Sequence, residues 1–550
     1  MRTRPLAARV RLLAGAATVV LSGAVLGFVN PVTARADSAP VSPAPATPVT
    51  VAADALPTAQ INGVAWSQVV VGNNVFVAGR FSSARPAGAP AGTSETPRGN
   101  LLSYDIRTGA LTSFAPSLNA QALVVTASPD GSRIYVGGDF TQANGQPRNR
   151  IAAFDTATGT LVSAFAPAAS AQVRAIAATN STVYFGGSFS AVGSSPRPRL
   201  AAASAATGAL LPWSPVPGPG DTSRNADPSK TAAQNAQTDY SVLALVVTGG
   251  GSQVVAAGRF DTLNGVKSTG VGALDPVTGA TRSFAVNQLI TNQGINSAVY
   301  SLSTDGSTVY GTGYDYYGPG NLEGAFEATA DGGNVIEIDD CHGDTYSSFA
   351  SAGVLYLSSH AHDCGNIGGF PEENPRINKF ATAFTTAPVG QVGPNTEENT
   401  NFVGQPAPSL LPWFPSLTAG SVTGQYQAGW SVSGNSQYVV YGGEFPKVNG
   451  IGQQGLVRFA VPSIAPNKIG PASVDGLTPT VLSLSGNSVR VSWQATSDQD
   501  NENLTYKVIR SDKPNSPVYQ TTAASTFWNR PTMGFIDRSV TPGAKYTYRV

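Results

Sequence analysis

Charged residues are scarce in this chain of 550 residues. They make up 12% of the sequence, about half the usual share of a globular domain, and 33 basic side chains balance 33 acidic ones. A net charge of zero provides no electrostatic attraction to nucleic acid or to an anionic membrane, so we expect neither as a partner. The sequence also lacks a G-x-S-x-G nucleophile motif, a Walker phosphate-binding loop and a Rossmann glycine pattern, which removes several common enzyme classes.

Apolar stretches long enough to span a bilayer are absent beyond the N-terminus. There, four arginines between Arg2 and Arg11 precede an uncharged stretch over residues 12–29, and Ala34-Arg35-Ala36 follows. This order is typical of a secretory signal peptide that is cleaved after Ala36. An uncleaved anchor is the alternative, since the stretch nearly spans a bilayer, but its many small residues favour cleavage. We therefore expect residues 1–36 to be removed and the mature protein to be secreted, extracellular, without a membrane span, and monomeric.

A repeated segment organises most of the chain after a Pro/Ala-rich linker at residues 37–49. Seven copies align on one strand that runs into a pair of small residues. Their sequences are VFVAGRF (75–81), IYVGGDF (134–140), VYFGGSF (183–189), VVAAGRF (254–260), VYGTGYD (309–315), LYLSSHA (355–361) and VVYGGEF (439–445). Each copy contains four short strand-like segments that are separated by turn residues.

Short strands, frequent turns and a repeat of roughly fifty residues are typical of a β-propeller with one blade per copy. A β-solenoid is the alternative, but its repeats are normally shorter. The Gly-Gly pair and the later D-x-x-T-G motif, as at Asp155 to Gly159, resemble kelch-type and related tandem propeller repeats of secreted bacterial proteins over residues 50–462. The resemblance implies a seven-bladed β-propeller and says little about activity, because propellers host many unrelated functions.

Ring closure is also predicted from the repeat. The seventh copy ends at residue 462 without a clear fourth strand, whereas residues 48–57 precede the first copy where other copies have an outer strand. We expect residues 48–57 to complete the last blade, because unpaired sheet edges are avoided in this way.

The pattern changes after a short linker at residues 463–470. Val489, Val491 and Trp493 alternate on one predicted strand, and no Gly-Gly element follows. Residues 471–550 resemble a fibronectin type III domain, an immunoglobulin-like β-sandwich, with Trp493 as the core tryptophan and Tyr546 at the tyrosine-corner position. Val550 falls in the penultimate strand of such a domain, so we expect the natural chain to continue. The whole chain is thus predicted to be all-β.

Both cysteines and all three histidines lie between Ile338 and Cys364. The repeat register places Cys341 after the fourth strand of copy five and Cys364 after the second strand of copy six. Loops at these two positions emerge on the same face of the ring of blades, so the cysteines can meet. In an oxidising compartment a disulfide is the default for exactly two cysteines, and closing a loop of this length would contribute about 3 kcal/mol.

The histidines raise the question of a metal site. His342, His360, His362 and Asp363 are residue types that bind Zn or Cu, and such a site needs three or four ligands around one point. The alternatives are a disulfide-pinned loop with surface histidines and a contact with an organic ligand, since H-x-H alone is a weak motif. We expect no cofactor and retain Zn or Cu at this cluster as an alternative.

Polar residues follow the second strand of every copy. They are Arg80, Asp139, Ser188, Arg259, Tyr314, His360 and Glu444. Such a ring at one end of the strands is predicted to form the rim of a ligand pocket. The alternative is that polar residues simply end the strands there.

These features predict a secreted modular binding protein. Its propeller would bind a polysaccharide or another cell-surface component, and the fibronectin type III domain would act as a spacer. A glycosidase is the first alternative, because its chemistry needs only two carboxylates about 5–10 Å apart, and a metal-dependent oxidoreductase or a purely structural spacer are others. The sequence identifies no catalytic residue.

Overall fold

The computed structural model describes residues 47–219, 239–316, 318–394, 402–465, 468–472 and 475–550. The predicted signal peptide and nearly all of the first linker lie outside these residues. In the described part of the chain the helical segments are short 3-10 turns, Gly249–Gly251, Ala285–Gln288, Gly365–Ile367 and Asp475–Leu477. The other regular elements are β-strands, so the predicted all-β class is confirmed. None of the described helices is long and apolar enough to cross a membrane.

Seven antiparallel sheets follow one another over the described residues up to Ala460, and we number them sheet 1 to sheet 7. Their first strands are Val64–Val71, Ala122–Ala127, Val173–Ala178, Val242–Thr248, Ser297–Thr304, Thr345–Ser351 and Gly429–Gly434. Their second strands are Asn74–Arg80, Arg133–Gly138, Thr182–Gly187, Gln253–Gly258, Thr308–Asp315, Val354–Ala361 and Tyr438–Gly443. Their third strands are Leu101–Asp105, Ile151–Asp155, Leu200–Ser204, Val271–Leu274, Ala325–Thr329, Lys379–Thr385 and Leu456–Ala460.

The outer edges of the sheets vary. Sheets 4 and 5 have a fourth strand, Thr281–Arg282 and Val335–Asp339. In sheets 1, 2, 3 and 6 a single leucine bridges to the third strand, and these are Leu111, Leu161, Leu210 and Leu410. The remaining short strands of this region are Gln60–Ile61, Ser83–Arg85, Thr96–Pro97, Gln142–Ala143, Gln146–Pro147, Ala191–Val192, Ser195–Pro196, Pro217–Gly218, Thr262–Leu263, Val266–Lys267, Gly390–Gln391, Pro406–Ala407, Lys447–Val448 and Ile451–Gly452.

The glycine pair of the second strands has a steric cause. A Cβ atom at Gly138 would run into the carbonyl oxygen of Gln121, and one at Gly187 would run into that of Gln172. Both carbonyls lie just before the first strand of the same sheet. The repeated glycine therefore marks the point where the backbones of the first and second strands approach most closely.

The sheets are arranged in a ring. First strands of neighbouring sheets contact each other in chain order, and the first strand of sheet 7 contacts that of sheet 1. An apolar cluster fills the space between each pair of neighbours, and between sheets 7 and 1 it joins Val440 and Leu456 to Val77 and Leu102. Burial of these side chains between the sheets is the main apolar stabilisation of the ring.

The N-terminal described segment runs along the outer edge of sheet 7. The amide of Leu56 donates to the carbonyl of Arg458 (2.9 Å), and the amide of Ala52 donates to the carbonyl of Ala460 (2.9 Å). Leu56 and Arg458 form an antiparallel bridge. The segment thereby pairs an edge that would otherwise be open.

The side chain of Arg458 connects three parts of the chain. It is 2% exposed, and its Nη2 atom donates to the carbonyl of Pro57 at 2.6 Å. Its Nη1 atom donates at 2.6 Å to the carbonyl of Ile106, which follows the third strand of sheet 1. One buried guanidinium thus ties the N-terminal segment, sheet 7 and sheet 1 together.

Two further three-stranded sheets pack face to face at the C-terminal end. One contains Thr480–Leu484, Ser488–Gln494 and Thr532–Asp537, and the other contains Asn503–Arg510, Tyr519–Ala524 and Tyr548–Arg549. Trp493 is 3% exposed in the core between them and lies against Tyr506. The unit contacts sheet 6 through Phe370, Phe414, Phe527 and Trp528, and a cleft of about 310 Å³ lies at this contact.

Replacing Arg458 by methionine should destabilise the fold by at least about 3 kcal/mol, because the carbonyls of Pro57 and Ile106 would lose buried donors. Methionine keeps most of the apolar volume, so the loss reports the hydrogen bonds. Thermal melts followed by near-UV circular dichroism should show a marked fall in Tm. Arg107→Met is the matched control, because the exposed Arg107 pairs with Asp105 at the surface and its replacement should leave Tm nearly unchanged. Equal Tm values for wild type and Arg458→Met would contradict this role.

Candidate functional site

The ring of sheets surrounds a central cavity of about 550 Å³. Residues of all seven first strands line it. Its volume lies within the range of about 300–1,000 Å³ that is typical of small-molecule sites.

Every first strand carries a β-bulge at the same place. In each sheet the pairing with the second strand shifts by one residue near the beginning of the first strand. The bulged residues are Trp66, Leu123, Arg174, Leu243, Tyr300, Tyr346 and Trp430, and all of them line the cavity. A bulge changes the direction of a side chain relative to the regular alternation of a strand. Here it occurs at the same position in every first strand, so the seven bulged side chains lie at the same height along the cavity. We call these seven residues the bulge ring.

Four consecutive members of the bulge ring are aromatic. Ring centroids are 5.1 Å apart for Trp66 and Trp430, 4.6 Å for Trp430 and Tyr346, and 5.3 Å for Tyr346 and Tyr300. Trp430 and Tyr346 are buried, whereas Trp66 and Tyr300 are half-buried. These four residues, which we call the aromatic arc, form a continuous aromatic wall along one side of the cavity.

The other three members of the bulge ring are Leu123, Arg174 and Leu243, from sheets 2, 3 and 4. In a ring of seven, the position of sheet 3 lies opposite the junction of sheets 6 and 7. Arg174 is therefore placed across the cavity from Tyr346 and Trp430. It is half-buried between two leucine positions.

A chain of hydrogen bonds links the aromatic arc to Arg174. Trp66 Nε1 donates to Gln121 Oε1 (3.1 Å), and Gln121 Nε2 donates to the carboxylate of Asp139 (2.7 Å). Gln172 Nε2 donates to the same carboxylate (3.0 Å), and Arg174 Nη1 donates to Gln172 Oε1 (3.0 Å). The chain fixes three polar side chains between the two ends and spans sheets 1, 2 and 3.

The predicted rim residues differ in how they relate to the cavity. Asp139 lies in the hydrogen-bonded chain, and the buried Glu444 accepts hydrogen bonds from Trp430 Nε1 (3.0 Å) and from the amide of Thr423 (2.8 Å). The ring of Tyr314 lies 6.0 Å from that of Tyr300. These three rim residues therefore support the aromatic arc or its polar neighbours.

The other four rim residues lie further from the bulge ring or contact it from outside. Arg259 forms an ion pair with Asp239 and donates through Nε to the Tyr314 hydroxyl (3.0 Å). His360 lies 5.9 Å from the ring of Tyr346. The exposed Arg80 donates to the carbonyl of Val422 (2.9 Å), and the hydroxyls of Ser188 and Ser241 are 3.0 Å apart. A role of any of the seven rim residues in ligand binding stays a prediction.

Cys341 and Cys364 form the predicted disulfide, with Cα atoms 4.2 Å apart. Cys341 follows the fourth strand of sheet 5, and Cys364 follows the second strand of sheet 6. Between them the amide of His342 donates to the carbonyl of Asp363 (2.7 Å), which makes a small antiparallel bridge. The disulfide therefore pins two neighbouring sheets at one face of the ring.

The three histidines divide into two environments. His342 and His362 are buried, with ring centroids 6.4 Å apart, and burial lowers the pKa of His342 and lowers that of His362 to about 4. His360 instead accepts from the amide of Asp344 at Nε2 (3.2 Å) and lies 3.3 Å from Gln427 Oε1. A register shift between Ser358 and Ala361 separates it from His362. Among the described residues no three His, Cys, Asp or Glu side chains are grouped to hold a metal ion.

Buried carboxyl groups line the strand that leads to Cys341. Glu337 pairs across the sheet with Glu327, and these residues are 1% and 2% exposed. Burial raises the pKa of both, and Glu337 raises that of Glu327 further. Burial also raises the pKa of Asp340 to about 7. Burial thus favours the protonated forms of these acids, which lie outside the central cavity.

Taken together, the sheets and the cavity define an all-β protein with a propeller-type domain. Residues 129–161 match the family described as a domain of unknown function, DUF5122, with a β-propeller structure. The matched segment spans the second and third strands of sheet 2 and ends at the bridging Leu161. No curated protein matches the sequence. The computationally designed protein Ika8 aligns with 73% of this chain and 98% of its own, at 12% identity and a TM-score of 0.37.

The seven copies, aligned on their second strands, predict the rim residues but do not reveal the bulge ring. The missing signal is a column in the first strands, where the seven copies carry Trp, Leu, Arg, Leu, Tyr, Tyr and Trp. In copies two and three this column lies two residues after the Ala-Gln dipeptide, at Leu123 and Arg174. This column changes between apolar, aromatic and basic residues from copy to copy, which distinguishes it from core positions.

The buried acids of sheet 5 should make stability decrease as the pH rises from about 5 to 9. Their pKa values are raised on folding, so the folded chain holds more protons than the unfolded chain in this range, and their contribution is lost as the pH rises. Between pH 5 and 9 the free energy of unfolding of the Glu337→Gln variant should fall by about 1–2 kcal/mol less than that of wild type. Tm against pH measures this difference. The exposed Glu373→Gln is the control and should follow the wild-type curve of Tm against pH. If the curve of Glu337→Gln also ran parallel to that of wild type, Glu337 would not cause the pH dependence.

Proposed function

We propose that this chain is a secreted binding protein whose propeller binds a polysaccharide, or the glycan part of a cell-surface component, in the central cavity. The observation that carries the proposal is the aromatic arc. A sugar ring has an apolar face that packs on aromatic side chains and hydroxyl groups that need hydrogen-bond partners. The cavity supplies an aromatic wall and, beside it, the side-chain amides of Gln121 and Gln172, which donate to the carboxylate of Asp139 and are held in place by it.

The detailed architecture is part of the same proposal. The cyclic order of the sheets supports a seven-bladed propeller with kelch-like repeats over residues 50–462, closed by residues 48–57. The packed sheets around Trp493 support a fibronectin type III domain, and the Tyr546 hydroxyl accepts from the amide of Thr541 (3.1 Å), as a tyrosine corner would. This domain would act as a spacer. Secretion is supported by the predicted signal peptide and the disulfide.

A carbohydrate-active hydrolase is the second candidate, and one pair of carboxyl groups favours it. The amide of Asp315 donates to Asp344 Oδ1 (3.2 Å), and the hydroxyl of Tyr346 in the aromatic arc donates to Asp344 Oδ2 (3.1 Å). Burial raises the pKa of Asp315 to about 6, which suits a general acid. Asp315 is only 5% exposed, however, so binding is the better supported function.

Trp66→Ala and Tyr300→Ala should each weaken glycan binding roughly tenfold, because each removes a stacking surface that contributes about 1–1.5 kcal/mol. The ligand is first identified by applying the purified chain to a glycan array, and affinities are then measured by calorimetry. Tyr426→Ala is the matched control, since Tyr426 is 77% exposed and lies outside the cavity lining.

Two results would contradict the proposed function. One is the absence of saturable binding to any glycan of the array by the wild-type chain. The other is glycan binding that Trp66→Ala and Tyr300→Ala leave unchanged while their Tm values match that of wild type. Release of reducing sugar by wild type but not by Asp315→Asn would instead favour the hydrolase.

A further inference from the structure

We infer that the ligand of the central cavity is an acidic glycan whose uronic acid carboxylate is bound by Arg174. This inference rests on the proposed function and specifies its ligand class. It starts from the position of Arg174 in the bulge ring, opposite the aromatic arc.

The guanidinium of Arg174 is available for an anionic ligand. Its neighbours in the bulge ring are Leu123 and Leu243, and its hydrogen-bond partner is the neutral amide oxygen of Gln172 (3.0 Å). Over the described residues Arg174 forms no ion pair, whereas Arg259 at the same end of the ring is paired with Asp239. A guanidinium presents parallel N–H groups that match a carboxylate, so an unpaired one beside a cavity is suited to bind it.

Charge is distributed unevenly around the end of the ring where the rim residues and Arg174 lie. On the side of sheets 2 and 3, the guanidinium of Arg150 donates through Nη1 to the backbone carbonyl of Asp139, and that of Arg199 lies 4.1 Å from the ring centroid of Tyr240. With Arg174 they outnumber the one rim carboxylate of these sheets, Asp139. The side of sheets 5 to 7 instead carries three carboxyl groups, at Asp315, Asp344 and Glu444, against one cation, the exposed Arg80 of sheet 1, which donates to the carbonyl of Val422. An anionic group would therefore be attracted towards Arg174 and repelled from the opposite side.

The two sides together define one orientation of the ligand. A sugar ring packed on the aromatic arc has its far substituents directed across the cavity, towards Arg174. A carboxylate on that ring would lie on the cationic side, while its hydroxyl groups face the amides of Gln121 and Gln172. A neutral sugar would use the same wall but would leave the guanidinium without an ionic partner.

The test compares charged and neutral forms of the same sugars. Trimers of galacturonic, glucuronic and mannuronic acid, and the methyl ester of each, are titrated into the full chain by calorimetry. At least one acid should bind at least about tenfold more tightly than its ester, and this preference should weaken with added salt. Arg174→Gln should remove the preference and leave the affinity for the ester within about twofold. Arg174→Lys should keep part of it, and Arg107→Gln, at an exposed site, should keep all of it.

The possible failures of this inference differ from those of the proposed function. Equal binding of acids and esters, binding of neutral glycans alone, or an acid preference that persists in a folded Arg174→Gln variant would each overturn the inference and leave glycan binding intact. A complete absence of glycan binding by the wild-type chain would overturn both. Tm values of all variants confirm that they are folded before their affinities are compared.

Discussion

Closure of the ring is the constraint on which the rest of the structure depends. A line of separate sheets would leave an unpaired edge at its end, and the N-terminal segment pairs the edge of sheet 7 at Leu56 and Ala52. Arg458 reinforces this junction from within, since a buried guanidinium must be satisfied by carbonyls from both sides. In the closed ring each first strand contacts the first strands of two adjacent sheets. These contacts hold the strand in position although the bulge interrupts its regular pairing with the second strand.

The repeat places residues of different chemical types at equivalent positions around the cavity. The backbone places one bulged residue per sheet at the same level, whatever its side chain, because the pairing shifts at the same position in every sheet. The native residues at this position are leucine, tyrosine, tryptophan and arginine, and the bulge is the same in all seven sheets. In this chain the aromatic residues lie together and the single arginine lies opposite. The cavity therefore has two chemically distinct sides, which favours a ligand that also has two.

Much of the fold and less of the site could be predicted from the sequence. The all-β class and the disulfide are confirmed, because the strand alignment of the seven copies fixes the register and the register places Cys341 and Cys364 at neighbouring loops. The bulge ring was not predicted, since a bulge depends on pairing between strands and leaves no fixed residue type in the sequence. The segment that carries the three histidines shows the same limit, because a register shift gives His360 and His362 different surroundings.

We propose that the aromatic arc and Arg174 face one ligand in the central cavity. A crystal structure of the chain with the tightest-binding acidic trisaccharide tests this most directly. We expect a sugar ring packed against the aromatic arc, with its carboxylate within about 3 Å of the Arg174 guanidinium. Density for the sugar in the cleft between Phe414 and Phe527, with an empty central cavity, would contradict it.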